Sequence, residues 1–124
     1  MELDEYTCES CGYSFSGCGG MGIGIFRDGF QTITCAQCKE LRDLPLSSDL
    51  VMGYWMINES PPGLEQDRAL ADFASRNFVC PIEPWHTVHP WEHRGYPKFP
   101  GTVIAACPRC GGHMQAAGLH WIIE

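Results

Sequence analysis

Six of the eight cysteines stand in Cys-x-x-Cys pairs, Cys8/Cys11, Cys35/Cys38 and Cys107/Cys110, while Cys18 and Cys80 stand alone. A structural zinc ion takes four nitrogen or sulfur ligands in a tetrahedron, with sulfur at about 2.3 Å. Two cysteines separated by two residues can turn both sulfurs toward one ion from a single tight loop, and two such loops complete the shell. Cys8, Cys11, Cys35 and Cys38 are therefore expected to form one full site. The remaining donors, Cys80, Cys107 and Cys110, need a fourth. Glu83 supplies a carboxylate in the same stretch, and the His86/His89 pair supplies imidazoles. His93 and His113 are further histidines nearby, and a second site that has lost its metal is the remaining alternative. Zinc, one or two ions per chain, is the expected cofactor; four thiolates also suit iron. Thioredoxin-like redox chemistry expects the pair on a βαβ frame, whereas these pairs sit beside hairpin signals. Covalent haem needs a histidine after the second cysteine, and Gly12, Lys39 and Gly111 occupy those places.

The spacing suggests an internal repeat. Cys8 to Cys35 is 27 positions, as is Cys80 to Cys107, and a shift of 72 superposes Cys8 on Cys80, Cys35 on Cys107 and Cys38 on Cys110. Cys11 then falls on Glu83, Tyr6-Thr7 on Phe78-Val79, and Gly29 on Gly101. β-Leaning runs at Met21 to Phe26 and Phe30 to Thr34 flank Arg27-Asp28-Gly29, and Asp-Gly is a strong hairpin turn signal. Thr102 to Ala106 is a further short strand by the same criteria. The glycines from Gly17 to Gly24 lack the Lys-Ser/Thr of a phosphate loop and are read as a flexible hairpin. Between the units, Val51 to Ile57 has the look of a strand, and Ser60-Pro61 that of a helix start. A helix over 61–78 would place Leu70, Phe73, Ala74 and Asn77 on one face and pair Asp72 with Arg76; its role would be to pack the units together.

On the motifs Cys8-Glu9-Ser10-Cys11-Gly12, Cys35-Ala36-Gln37-Cys38 and Cys107-Pro108-Arg109-Cys110-Gly111-Gly112, the chain resembles the zinc-ribbon (rubredoxin-like) superfamily over roughly residues 6–44 and 78–123. The resemblance implies small antiparallel sheets topped by metal-binding knuckles. The expected fold class is small, metal-stabilised and mainly β. It divides into a first ribbon-like unit at 1–46, a connector with one short helix at 47–77, and a second unit at 78–124 with a degenerate first knuckle. Ribbons serve unrelated functions, so the resemblance implies little about activity.

Composition narrows the function classes. Units of roughly 50 residues bury too little surface to fold on apolar burial alone, so a metal staple is expected. The net charge is −7, with only Lys39 and Lys98 as lysines. That argues against non-specific nucleic-acid binding, which needs a basic face. The start Met1-Glu2-Leu3-Asp4-Glu5 is acidic and has no secretory pattern, and the longest apolar run, Leu50 to Ile57, is broken by Gly53 and far too short to span a membrane. A cytoplasmic location without membrane association is the expectation. No Ser-His-Asp or paired-carboxylate set is recognisable. The first reading is thus a zinc-binding structural or protein-interaction module without catalytic activity and with a protein partner. A nucleic-acid-associated ribbon, with Arg27, Arg42, Arg94 and Arg109 on one face, is the first alternative. A metalloenzyme or metal sensor built on the irregular second site is the other. The loop holding Trp85, Trp91, Tyr96 and Phe99 is read as a satellite core, and Cys18 as a free thiol.

Overall fold

Two antiparallel strand systems account for most of the chain, and their pairings tie its start to its end. The computed structural model describes residues 2–24 and 28–122, with side chains over 3–24 and 28–117. Strand β1 (Glu2–Cys8) lies at the centre of a three-stranded sheet, between β2 (Ser14–Gly17) and β8 (Met114–Ile122). Cys8 stands opposite Met114 in this register, and Tyr6 opposite both Phe15 and Ala116.

The second sheet is organised around β4 (Gly29–Cys35). One edge of β4 pairs along its whole length with β5 (Glu40–Leu46). The other edge is shared: β3 (Met21–Ile23) takes residues 29–31, and β6 (Val88–Glu92) takes residues 33–35. β7 (Val103–Ile104) adds to β6 in parallel. The centrality of β4 follows from its residues: a β-branched run, Thr32-Ile33-Thr34, with Ile33 and Thr32 fully buried. The described residues thus form a small, mainly β protein with eight strands, two helices and two cysteine-rich sites. The expected strand at 30–34 lies within β4, and of the one expected at 102–106 β7 covers only Val103–Ile104. Of the expected strand at Met21 to Phe26, β3 covers the first part; Ile25 and Phe26, like Arg27 of the expected turn, lie outside the described residues.

The segment 51–57, expected as a strand, is helical. Helix α1 (Ser48–Asn58) starts at Ser47, whose hydroxyl accepts the Leu50 amide, with Asp49 in the first turn. Both features stabilise a helix N-terminus, and Val51 and Tyr54, three apart, are its buried residues. Helix α2 (Leu64–Asn77) begins later than the Ser60-Pro61 start signal suggests. The Ser60 hydroxyl instead donates to the Ile57 carbonyl at the end of α1, and Gly63, with φ +149°, precedes the first helical residue. Leu70 and Phe73 are buried as expected, and Arg76 meets Asp72 at 3.2 Å.

Two apolar clusters result. In one, α1, α2 and β4–β5 meet around Phe73, Phe78 and Phe99, whose rings lie 5.0–5.9 Å apart. The other gathers Tyr6, Leu41, Trp91 and Met114 with the sulfurs of Cys8 and Cys107. The aromatic loop therefore divides: Trp91 and Phe99 are core, whereas Trp85 and Tyr96 are 70% and 73% exposed. No helix among the described residues is long and apolar enough to cross a membrane.

Candidate metal centres

Each Cys-x-x-Cys pair sits on the same turn. The amide of the residue after the second cysteine donates to the carbonyl of the first: Gly12 to Cys8 at 3.1 Å, Lys39 to Cys35 at 2.9 Å, Gly111 to Cys107 at 2.9 Å. That residue is left-handed in all three, with φ of +80°, +55° and +77°. Glycine adopts this conformation freely and lysine does not. Further amides reach the sulfurs, Cys38 to Cys35 and Arg109 to Cys107 at 3.4 Å each. Such donors favour the thiolate, the form that binds metal.

Strand pairing decides which turns meet. Because β1 pairs with β8, the knuckle at the end of β1 faces the knuckle that leads into β8. The Cys8 and Cys110 sulfurs lie 3.4 Å apart, those of Cys11 and Cys107 3.6 Å, and all four are within 4.8 Å of one another. Gly112 closes this group tightly: a Cβ there would lie 2.9 Å from the Ser10 hydroxyl and 3.3 Å from the sulfurs of Cys8 and Cys110.

The second group forms because β4 pairs with β6. Residues 80–86, which lead to β6, are brought against the turn at the end of β4. Cys35, Cys38 and Cys80 surround Nδ1 of His86 at 3.5, 3.4 and 3.3 Å, and the sulfurs of Cys38 and Cys80 are 3.7 Å apart. Backbone ties fix the approach, Ala36 donating to the Thr87 carbonyl at 2.9 Å and Thr87 to the Gln37 side chain at 2.8 Å.

These groupings correct the expected ligand sets. Cys8 and Cys11 join Cys107 and Cys110, not Cys35 and Cys38; Cys80 joins Cys35, Cys38 and His86. Every expected cysteine is in a group, and of the three candidates for the remaining place only His86 is. Glu83 is exposed and serves through its backbone, accepting the His86 amide at 3.1 Å. His89, also exposed, stands opposite Thr34 in the β4–β6 register. The spacing argument failed because a repeat in sequence does not say which loops the strands bring together.

A tetrahedral ion with sulfur at 2.3 Å separates two sulfurs by about 3.8 Å, and a sulfur from an imidazole nitrogen by about 3.6 Å. The contacts above fall close to both. They are far from the roughly 2.0 Å of a disulfide, and all eight cysteines are free. Both groups fit a thiophilic metal ion. No protein-family model, curated protein or solved structure matches the chain. The chemistry of the two groups rests on their own geometry.

That geometry splits the thiols. The Cys11 amide, outweighing burial, draws Cys8 down to about 6. Cys80 also falls to about 6: burial opposes this, but backbone hydrogen bonds from Glu83 and Ile82 and the contact with His86 prevail. Burial and the neighbouring Cys35 and Cys80 thiols push Cys38 up to about 11. Cys110 rises to about 12; the Gly112 amide acts against this, and the Cys8 and Cys11 thiols and burial drive it. Cys8 and Cys80 are thus ready thiolates, whereas binding metal at Cys38 and Cys110 displaces protons, so affinity for metal rises with pH. Cys18 stands apart. Burial first, then Asp43, pushes its thiol up to about 12, which leaves it protonated and inert.

The two groups are also linked directly. Arg109, inside the Cys107 knuckle, donates to the Lys39 carbonyl at 3.3 Å, lies 3.6 Å from the Glu40 carboxylate, and stacks 4.5 Å over the Tyr13 ring. The Tyr13 hydroxyl accepts the Leu41 amide at 2.9 Å.

Proposed function

We propose that the protein is a zinc-clamped, non-enzymatic interaction module in which two ribbon-type zinc centres hold the early and late parts of the chain together. The observation that carries this reading is the make-up of the donor sets. Each draws one Cys-x-x-Cys from residues 8–38 and its other two ligands from residues 80–110. Four protein ligands close the shell of a zinc ion, the arrangement of structural sites, whereas catalytic zinc keeps a position for water or substrate. The left-handed turn after each pair supports the resemblance to ribbon knuckles, and a reducing, cytoplasmic setting fits thiolates kept for metal.

A protein partner is favoured over nucleic acid by the way the arginines are used. Arg42 and Arg109 both engage Glu40, at 2.8 and 3.6 Å, and so offer little to phosphates. A net charge of −7 works in the same direction.

Elemental analysis of protein purified without added metal tests the reading. About two zinc equivalents per chain are expected, and stripping them with a strong chelator should abolish cooperative melting, because folding and metal binding are coupled when cores are this small. Metal-free protein that keeps its cooperative melting would overturn it.

A further inference from the structure

The outward face of α1 is apolar where a surface helix is ordinarily polar. Met52, Trp55 and Met56, spaced i, i+3, i+4, are exposed, Met56 to 74%, while Val51 and Tyr54 on the opposite face fill the core. The stripe continues past the end of the helix. Pro61, Pro62 and Leu64, the last 65% exposed, form with Met56, Ile57 and Ala69 an open groove of about 620 Å³. Contiguous exposed apolar surface of this kind marks an interaction site.

The groove is held in shape. The Gln66 side chain, which lines it, turns its amide NH2 toward the carbonyls of Ile57, Asn58 and Ser60 at 3.3, 3.3 and 2.9 Å, which ties the first turn of α2 to the end of α1. A surface fixed beforehand loses less entropy on binding. Its border is acidic. Asp49 lies three residues before Met52, Glu59 three after Met56, and Glu65 lines the groove itself. The basic residue closest in sequence on α2 is Arg68, one turn beyond Leu64; Arg76 is paired with Asp72.

We propose that this face docks an amphipathic helical segment of a partner protein, apolar along one side and flanked by lysines or arginines. Charge complementarity selects the occupant. A second copy of the chain would set the same three carboxylates against themselves across a two-fold axis, between molecules that each carry −7. A basic amphipathic helix puts apolar anchors into the groove and its cations on the rim, where they speed encounter and fix orientation. Methionines, unbranched and polarisable, suit such a surface. The proposal rests on the interaction-module reading and names the partner's chemistry.

The probe is a labelled synthetic amphipathic peptide of about four helical turns, built from Leu and Lys, with a Leu/Glu peptide of the same pattern as comparison. Both are titrated by fluorescence anisotropy into the metal-loaded chain. Binding of the Lys peptide at least about tenfold tighter than the Glu peptide is expected. Met56→Glu and Leu64→Glu should each weaken it about tenfold although they add negative charge, since the anchors are apolar. Glu65→Lys should remove the preference for Lys, and Ile104→Glu, at an exposed apolar residue on β7, should change nothing. Equal affinity for both peptides, no binding, tighter binding to Met56→Glu, or a dimer in sedimentation that Met56→Glu dissolves would each overturn the proposal. Zinc content and melting of the same samples keep the two readings apart: a chain with two zinc ions and no peptide binding sinks only this one.

Discussion

At the scale of single residues, the second centre turns on a choice between imidazole and carboxylate. His86 places Nδ1 within 3.3–3.5 Å of three sulfurs, whereas Glu83, which holds the second-cysteine place of a Cys-x-x-Cys pattern begun by Cys80, is exposed and meets His86 only through its backbone. His86→Ala should therefore cost one of two metal equivalents, while Glu83→Gln should keep both, as read by elemental analysis of the purified variants. Loss of metal in Glu83→Gln, with His86→Ala fully loaded, would reverse the assignment. The seven cysteines of the two groups were legible in the sequence, six from their pairing and Cys80 from its spacing to Cys107. The histidine was legible only as one of several candidates, because loop 80–86 has no regular structure and its geometry is set by what β6 packs against. Sequence offers no ruler for that.

At the scale of elements, the three knuckles share one backbone and differ in one residue. Lys39 holds the left-handed position at φ +55° that Gly12 and Gly111 hold elsewhere, a conformation costing a side-chain-bearing residue about 1–2 kcal/mol. Glycine there would relieve that strain and add about 0.5–1 kcal/mol of unfolded-state entropy. Lys39→Gly should be neutral or stabilising by up to about 1 kcal/mol, and Gly111→Ala destabilising by about 1–2 kcal/mol. Thermal melts of the zinc-loaded variants check both signs. The same scale explains the misread segment. Val51 to Ile57 is a short apolar run whose composition suits either element. Ser47 and Asp49 carry the deciding helix-start signal, and they lie just before the run rather than in it. Helix α2 was easier, since Leu70, Phe73 and the Asp72–Arg76 pair have helical spacing and no competing period.

At the scale of the whole molecule, the fold is a pair of cross-links. Glycines Gly29 and Gly101, superposed by the apparent repeat, do different work: a Cβ on Gly29 would meet the Gly22 carbonyl oxygen across the β3–β4 pair, whereas Gly101 is a left-handed turn residue at φ +81°. What organises the chain is the pairing of β1 with β8 and of β4 with β6, which sequence periodicity does not encode and which joins residues far apart in sequence, such as Cys8 with Met114 and Cys35 with Val88, only after folding. The cross-linking has a consequence that separates it from self-contained sites. If Cys11 and Cys110 serve one ion, Cys11→Ser and Cys110→Ser should each lose about one equivalent, and the double variant no more than either single, because the second change strikes a site already broken. Cys11→Ser with Cys38→Ser should lose both ions. Were each centre built from neighbouring knuckles, the pattern would invert: Cys11 and Cys38 would share an ion, and the Cys11/Cys110 double variant would be the one stripped of both. Arg109, bridging the Cys107 knuckle to Lys39 and Glu40, adds a further expectation to the single variants. Emptying the Cys8/Cys11/Cys107/Cys110 group removes the anchor of Arg109, so the ion that remains in Cys110→Ser should leave to chelator faster than it does from the wild-type chain.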